Sequence, residues 1–272
     1  MTKHNTMTIG CKTFDFSNNG YIMGILNVTP DSFCDGGIFT SVDDAIHQAM
    51  KMIEEGATII DIGGESTRPG HATLEIEEEI NRVVPVIEAL SKLTDIPISI
   101  DTSKSAVGQA AIIAGASMVN DVWGFKKDPK LAEVCANNNV PCCLMHNRNN
   151  KEYKSLMTDV LTDLKESIQI AIDAGISEEN IMIDPGIGFA KTLEDNLEVM
   201  KNLEQFKTLG YPILLGTSRK SMIGLTLDLP VTQRLEGTIS TTVLGYVKGC
   251  RIFRVHDVKE NLRAMLMTQA MS

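Results

Sequence analysis

The sequence predicts a single α/β domain spanning residues 1–272, a (β/α)8 TIM barrel with a short N-terminal hairpin over residues 1–20. Three observations predict it. Eight short apolar runs recur along the chain, longer amphipathic stretches separate them, and a glycine repeatedly stands where such a stretch gives way to the next run. Setting aside about twenty residues before Tyr21 leaves roughly 250, the usual length of one such barrel.

The apolar runs are read as strands at 22–26, 59–62, 98–100, 118–119, 141–145, 181–183, 213–215 and 252–255. They lack strict alternation with polar residues, which points to strands buried on both faces in a parallel sheet. The stretches between them carry helix-end signals. Ser41 followed by Asp44 resembles a capping box before a helix over 45–55. Asp128-Pro129 offers a capping carboxylate with proline at the first helical position. Gly56, Gly115, Gly175, Gly210 and Gly249 stand after helical stretches, where a left-handed residue often ends a helix. The segments TIGCKTFDF and SNNG read as the hairpin, expected to plug the N-terminal mouth of the barrel. Two strand-to-helix connections, 28–40 and 63–73, exceed the usual span of about 2–6 residues, as lids over an active-site face do.

Composition limits the function classes. Hydrophobic residues make up 43% and aromatic residues 5%, so the core is expected to be aliphatic, with methionine filling gaps. The formal net charge of −10, with no basic stripe, argues against a nucleic-acid partner. The same field repels anionic ligands, so a phosphate-bearing substrate would need its own local cations. The six cysteines form no C-x-x-C pair and read as small hydrophobes in a reducing compartment. The N-terminus has no apolar signal core and no run of about eighteen apolar residues occurs, so a cytoplasmic location is expected.

Each apolar run ends in polar residues or in glycines leading to them. The runs lead into Asn27, then Gly63-Gly64-Glu65-Ser66-Thr67-Arg68, Asp101, Asn120-Asp121, His146, Asp184, the segment 217–221, and Arg254 with His256. All these ends lie on one face of a barrel, the face that carries catalysis and binding. Each has a plainer alternative: Asp101 capping the next helix, Asn120-Asp121 forming a turn, His146 as a core residue, Ser221 capping the helix it begins. Eight consecutive polar strand ends outweigh those alternatives jointly. No Rossmann fingerprint, Walker loop or G-x-S-x-G elbow is present, and the five histidines lack zinc spacing. Magnesium stays open, since it needs few protein oxygens where phosphates share its shell.

Several segments together resemble the dihydropteroate synthases. They are MGILNVTPDSFCDGG at 23–37, DIGGESTRPG at 61–70, SIDT at 99–102, NDVWG at 120–124, LMHN at 144–147, DPGIGFAK at 184–191, GTSRKS at 216–221 and RVHDV at 254–258. Cys34 stands where that family's loop often has serine. The resemblance implies condensation of 6-hydroxymethyl-7,8-dihydropterin pyrophosphate with 4-aminobenzoate, giving dihydropteroate and pyrophosphate. It also implies Mg2+ dependence, a cytoplasmic setting and a homodimer. By the same resemblance Asp101, Asn120, Asp184, Lys220, Met145 and Phe189 hold the pterin. Asn27, Arg68, Arg254 and His256 receive the pyrophosphate, with Asn27 on the metal. Ser221, Thr67, Pro69 and Phe33 shape the 4-aminobenzoate site, and Lys220, Arg254, His256 and Asp101 are the catalytic candidates. The alternatives are a pterin-binding methyltransferase of the methyltetrahydrofolate–corrinoid type and a non-catalytic pterin-binding barrel.

Overall fold

The computed structural model describes residues 5–28, 42–65 and 74–272. A hairpin of β1 (Thr6–Ile9) and β2 (Lys12–Asp15) precedes eight parallel strands. These are β3 (Tyr21–Asn27), β4 (Ile59–Gly63), β5 (Ile98–Asp101), β6 (Met118–Asp121), β7 (Cys142–Met145), β8 (Ile181–Asp184), β9 (Leu214–Leu215) and β10 (Ile252–Val255). Their hydrogen-bonded order is β8-β7-β6-β5-β4-β3-β10-β9. A parallel bridge from Ile183 to Ile213 joins the two ends, with Ile183 N–H donating to the Pro212 carbonyl at 3.0 Å, and closes the barrel.

All eight expected strands are present, with small shifts at their ends. Strand β7 begins at Cys142 rather than at residue 141 because Pro141 has no N–H for the ladder, although its carbonyl still accepts from Val119 at 3.0 Å. Eight strands leave both sheet faces covered. Outward residues such as Ile22, Ile60, Ile100, Val119, Leu144 and Ile183 are fully buried against the helices. Burying each such side chain stabilises the fold by about 1.5–3 kcal/mol. This is why the strands read as continuous apolar runs.

The helices are α1 (Val42–Glu54), α2 (Ile76–Ser91), α3 (Ser105–Ala114), α4 (Lys130–Asn138), α5 (Leu156–Asp173), α6 (Leu193–Lys201), α7 (Ser221–Leu227), α8 (Leu235–Lys248) and α9 (Val258–Ala270). Helix α1 starts three residues before the expected position, and Ser41 of the expected capping box lies outside the described residues. Helix α4 starts one residue later than expected, with Pro129 rather than Asp128 at the capping position, although the Asp128 backbone carbonyl accepts from Leu131 at 3.0 Å. Its carboxylate accepts from Lys130 at 3.3 Å and also from Ser105 N–H at 2.8 Å, so it serves α3 as well. The five glycines read as helix stops all have left-handed backbones, φ running from 87° to 119°.

The inward side of each strand is divided by height. Met23, Ile59, Met118, Cys143, Met182, Leu214 and Ile252 form the lower layer. Met7, Ile9, Phe14 and Phe16 of the hairpin pack against that layer, so the hairpin seals the barrel base as expected. Two residues further along, on the same side, β4, β6, β8 and β10 carry Asp61, Asn120, Asp184 and Arg254, whereas β3 and β7 keep the apolar Ile25 and Met145. Cys135, Cys142, Cys143 and Cys250 are buried and Cys11 is exposed. Among the described residues no helix is long and apolar enough to cross a membrane.

Candidate active site

Strand register brings the polar strand ends together. Gly63 pairs with Asp101, Asp101 with Asn120, Met145 with Asp184, and Asn27 with Gly63. Since side chains alternate along a strand, Asp61, Asp101, Asn120, Asp184 and Arg254 all project into the barrel. Asn120 and Asp121, adjacent in sequence, therefore part company. Asp121 accepts from Trp123 N–H at 2.9 Å and Phe125 N–H at 2.7 Å, a plain turn former. Asn120 donates from Nδ2 to Asp61 Oδ2 at 3.0 Å.

Arg254 sits among these carboxylates. Its Nε donates to Asp61 Oδ2 at 2.5 Å and its Nη2 to Asp101 Oδ2 at 2.7 Å. Burial works against the guanidinium charge, yet Asp61 and Asp101 outweigh it and hold Arg254 above the usual arginine range. Asp101 is pushed up to about 7, first by burial and then by Asp61, with Arg254 pulling the other way. The second oxygens, Asp61 Oδ1 and Asp101 Oδ1, are buried without a hydrogen-bond partner, as is Ser99 Oγ. Such orphaned acceptors beside a polar opening suit a ligand that brings N–H donors.

Across the barrel stand Asp184 and Lys220. Asp184 Oδ1 accepts from Gly186 N–H at 2.7 Å, and burial raises the carboxyl's pKa against the pull of Lys220. Lys220 donates to the Ile187 carbonyl, lies 4.8 Å from the Phe189 ring centre, and is lowered to about 8, mainly by burial. Between these groups the inward position of β9's end is Gly216. A Cβ there would lie 3.6 Å from Asp184 Oδ2, 3.8 Å from Lys220 Nζ and 3.9 Å from Arg254 Cβ. The absent side chain leaves room for a flat ring at the centre of the polar groups.

The remaining expected residues are distributed around the rim. His256 Nδ1 meets Ser218 Oγ at 2.9 Å, and its backbone N–H donates to the same oxygen at 3.1 Å. Asn27 ends β3, and a Cβ on Gly63 would lie 3.8 Å from its Oδ1. Ser221 is exposed at the first position of α7; its side chain makes no cap, and Lys220 occupies the capping position instead. Met145 is buried beside Asp184. Phe33, Thr67, Arg68 and Pro69 lie outside the described residues.

Sequence reading passed over three groups that the structure brings to this site. Asp61 was hidden inside an apolar run, although its position two residues before Gly63 puts it on the inward side. Lys191, 5% exposed, lies beneath the turn at 186–190. Gly216 had no signal except its place at a strand end. His146, by contrast, is a buried residue turned away from the ring: its Nε2 meets Asp163 Oδ2 at 3.0 Å.

The arrangement can grip a planar heterocycle between two polar sides, Asp61, Asp101 and Asn120 on one and Asp184 and Lys220 on the other, with the Arg254 guanidinium among them and His256 at the rim. Comparisons with known proteins agree with it. Residues 23–256 match the family described as pterin binding enzyme. A dihydropteroate synthase from Clostridium beijerinckii is 62% identical over 263 residues, covering 96% of this chain and 98% of that protein. The crystal structure of a Clostridium difficile dihydropteroate synthase, obtained in the presence of pteroic acid, is 52% identical with a TM-score of 0.92, covering 95% of this chain and 98% of that one. A Xanthomonas albilineans dihydropteroate synthase with 4-aminobenzoic acid is 39% identical with a TM-score of 0.93, covering 99% and 98%. With sequence, fold and the convergent strand ends in accord, the chain belongs to the pterin-binding enzyme family and, within it, to the dihydropteroate synthases.

Proposed function

We infer that the chain condenses 6-hydroxymethyl-7,8-dihydropterin pyrophosphate with 4-aminobenzoate, releasing 7,8-dihydropteroate and pyrophosphate. The observation that supports this best is the convergence of polar strand ends: Asp184, Lys220 and Arg254 stand close to Gly216, and Arg254 in turn holds Asp101 and shares Asp61 with Asn120. A pterin presents N–H donors and ring acceptors along one edge and a carbonyl beside them. Carboxylates accept paired N–H groups, and an asparagine supplies both donor and acceptor. Lys220 is suited to the carbonyl side, and Met145 and Phe189 to the ring faces.

The reaction breaks the bond between the exocyclic carbon and the diphosphate oxygen. The leaving diphosphate takes the electron pair, and the electron-rich dihydropterin ring stabilises the cationic carbon. Arg254 and His256 offset the charge developing on the departing group. The neutral arylamine then attacks the carbon, the C–N bond forms, and the amine nitrogen loses its proton, so no strong general base is required. Ser221, at the exposed start of α7, is suited to receive the 4-aminobenzoate carboxylate, with the long loops supplying Thr67, Pro69 and Phe33.

Magnesium fits the donor set. The described residues contain no group of three or more His, Cys, Asp or Glu that could hold a metal ion on their own. Asn27 offers an amide oxygen at the rim, and Mg2+ shared with diphosphate oxygens needs few protein ligands. When bound, the ion would neutralise negative charge on the leaving diphosphate. Apolar side chains exposed on α7 and α8, among them Leu225, Leu244 and Val247, support a homodimer, and a cytoplasmic setting belongs to the same reading.

The test is pyrophosphate release with both substrates, each omitted in turn, with and without magnesium. Release that needs the pterin, 4-aminobenzoate and magnesium supports the reading. Binding of both ligands without turnover would favour a non-catalytic barrel, and methyl transfer from methyltetrahydrofolate would favour the methyltransferase alternative.

A further inference from the structure

Lys191 is a buried ammonium whose hydrogen-bond partners are all uncharged. Its Nζ donates to His146 Nδ1 at 2.8 Å, to the Gly186 carbonyl at 3.0 Å and to the Phe189 carbonyl at 3.2 Å. Three acceptors use up its three N–H bonds. Burial lowers it to about 7, with Asp184 acting in the opposite direction. An apolar side chain of similar length would fill the same space without that desolvation cost. We propose that Lys191 is a positioning residue for the pterin pocket, holding the turn at 186–190 in place with its ammonium oriented by His146 and Asp163. The proposal rests on the pterin-binding reading of the site.

The orientation of His146 is set from its far side. Asp163 is held ionised, below the usual carboxylate range, because bonds from His146 and Arg148 overcome its burial. Facing an ionised carboxylate, His146 Nε2 must carry the proton and donate, at 3.0 Å. Nδ1 is then a lone pair aimed at Lys191. Burial and the neighbouring Lys191 lower His146 to about 4, so the ring stays neutral and keeps this tautomer.

The turn needs holding. Gly186, Gly188 and Ala190 all have left-handed backbones, φ of 70°, 87° and 47°, a region in which an alanine is strained. A Cβ at Gly186 would come within 2.0 Å of the His146 carbonyl, so the turn lies tight on the end of β7. The turn has bonds of its own, Phe189 N–H to the Gly186 carbonyl at 3.1 Å, Gly188 N–H to Asn196 Oδ1 at 2.6 Å and Tyr153 Oη to the Ala190 carbonyl at 2.8 Å; what Lys191 adds is the link from the carbonyls of 186 and 189 to His146 at β7's end.

The turn itself delivers the pocket. Gly186 N–H fixes Asp184 Oδ1, the Ile187 carbonyl receives Lys220, and the Phe189 ring underlies the same ammonium. Lys191 thus reaches three pterin-side groups through one short segment. The groups assigned to 4-aminobenzoate lie on α7 and the two long loops. Loss of the staple should therefore separate the two substrates' affinities, which a general loss of stability would not do.

The test uses the full chain with Lys191→Met, His146→Asn and His146→Gln. An asparagine places its amide oxygen near the former Nδ1 and keeps an acceptor for Lys191, whereas a glutamine reaches towards Asp163 and loses it. Each folded variant is titrated with 6-hydroxymethylpterin, and KM is measured for both substrates. We expect Lys191→Met and His146→Gln to weaken pterin binding about tenfold or more, with KM for 4-aminobenzoate within about twofold of wild type. His146→Asn should stay within about threefold of wild type for the pterin. A folded Lys191→Met that binds pterin like wild type overturns the proposal, as does equal behaviour of the two His146 variants. Should Lys191→Met fail to fold, the His146 pair decides alone. A wild-type chain that binds no pterin overturns the functional reading as well, whereas wild-type binding with unaffected variants overturns only the role of Lys191.

Discussion

Asp61 Oδ2 accepts Arg254 Nε at 2.5 Å in the closed centre of the barrel, and the same oxygen accepts Asn120 Nδ2 at 3.0 Å. One carboxylate oxygen thereby sets both a cation assigned to the leaving group and an amide assigned to the heterocycle. Asp61→Ala is expected to destabilise the fold by roughly 3–5 kcal/mol, the usual cost of removing one partner from a buried ion pair. Urea unfolding measures it. A loss under about 1 kcal/mol would show that Arg254 finds another partner.

Asp184→Ala should weaken pterin binding severely. The variant would strand N–H donors of the ligand in a closed pocket at about 1–3 kcal/mol for each unmet group, and would leave Lys220 without its counter-charge. Calorimetric titration should show affinity reduced by about a hundredfold. Unchanged affinity would remove Asp184 from the site.

Lys220 gives the pterin step a pH dependence. Its pKa of about 8 means that the charge is present below pH 8 and lost as pH rises through that value. Pterin affinity should therefore fall on the alkaline side of about pH 8. Lys220→Arg, which keeps its charge, should move that fall to higher pH, and a profile identical to wild type would assign the limb to another group.

Ser221→Ala should raise KM for 4-aminobenzoate several-fold and leave the pterin constant nearly unchanged, because the hydroxyl sits at the exposed start of α7. Steady-state kinetics with each substrate varied in turn will show it. Equal effects on both constants would count against the assignment.

Gly216→Ala separates space from stability. The new Cβ would meet nothing closer than 3.6 Å and needs no left-handed backbone, so the melting temperature should hold or rise slightly. Turnover should fall sharply, because the methyl group occupies the room left for the ring. Full activity would indicate that the ligand lies elsewhere.

The fold was legible because a barrel repeats one instruction eight times: an apolar run, a polar end, an amphipathic stretch and a stopping glycine. Even a strand as short as Leu214–Leu215 could be found from its neighbours. The site was legible as a set of ends, but pairings were not. Nothing in the sequence said that Arg254 would lean on Asp61 and Asp101. Asp61 was masked by its apolar neighbours, since the top of a barrel strand can be polar inside while its outer side stays greasy. Lys191 comes after an ordinary alanine, and only the fold of the glycine turn places it under His146. The adjacent Asn120 and Asp121 offered the same signal to sequence reading, and their separation into ligand side and turn side comes from the strand's twofold alternation.

The hairpin below the barrel settles the traffic above it. With Met7, Ile9, Phe14 and Phe16 wedged into the lower layer, the vessel has a floor, and passage through the base is blocked among the described residues. On the proposed assignment, a guest lying deep, beside Asp101 and Asp184, is expected to go in before one that rests nearer the lip. The conjugate formed from the two is then expected to leave away from the packed base, as is the diphosphate.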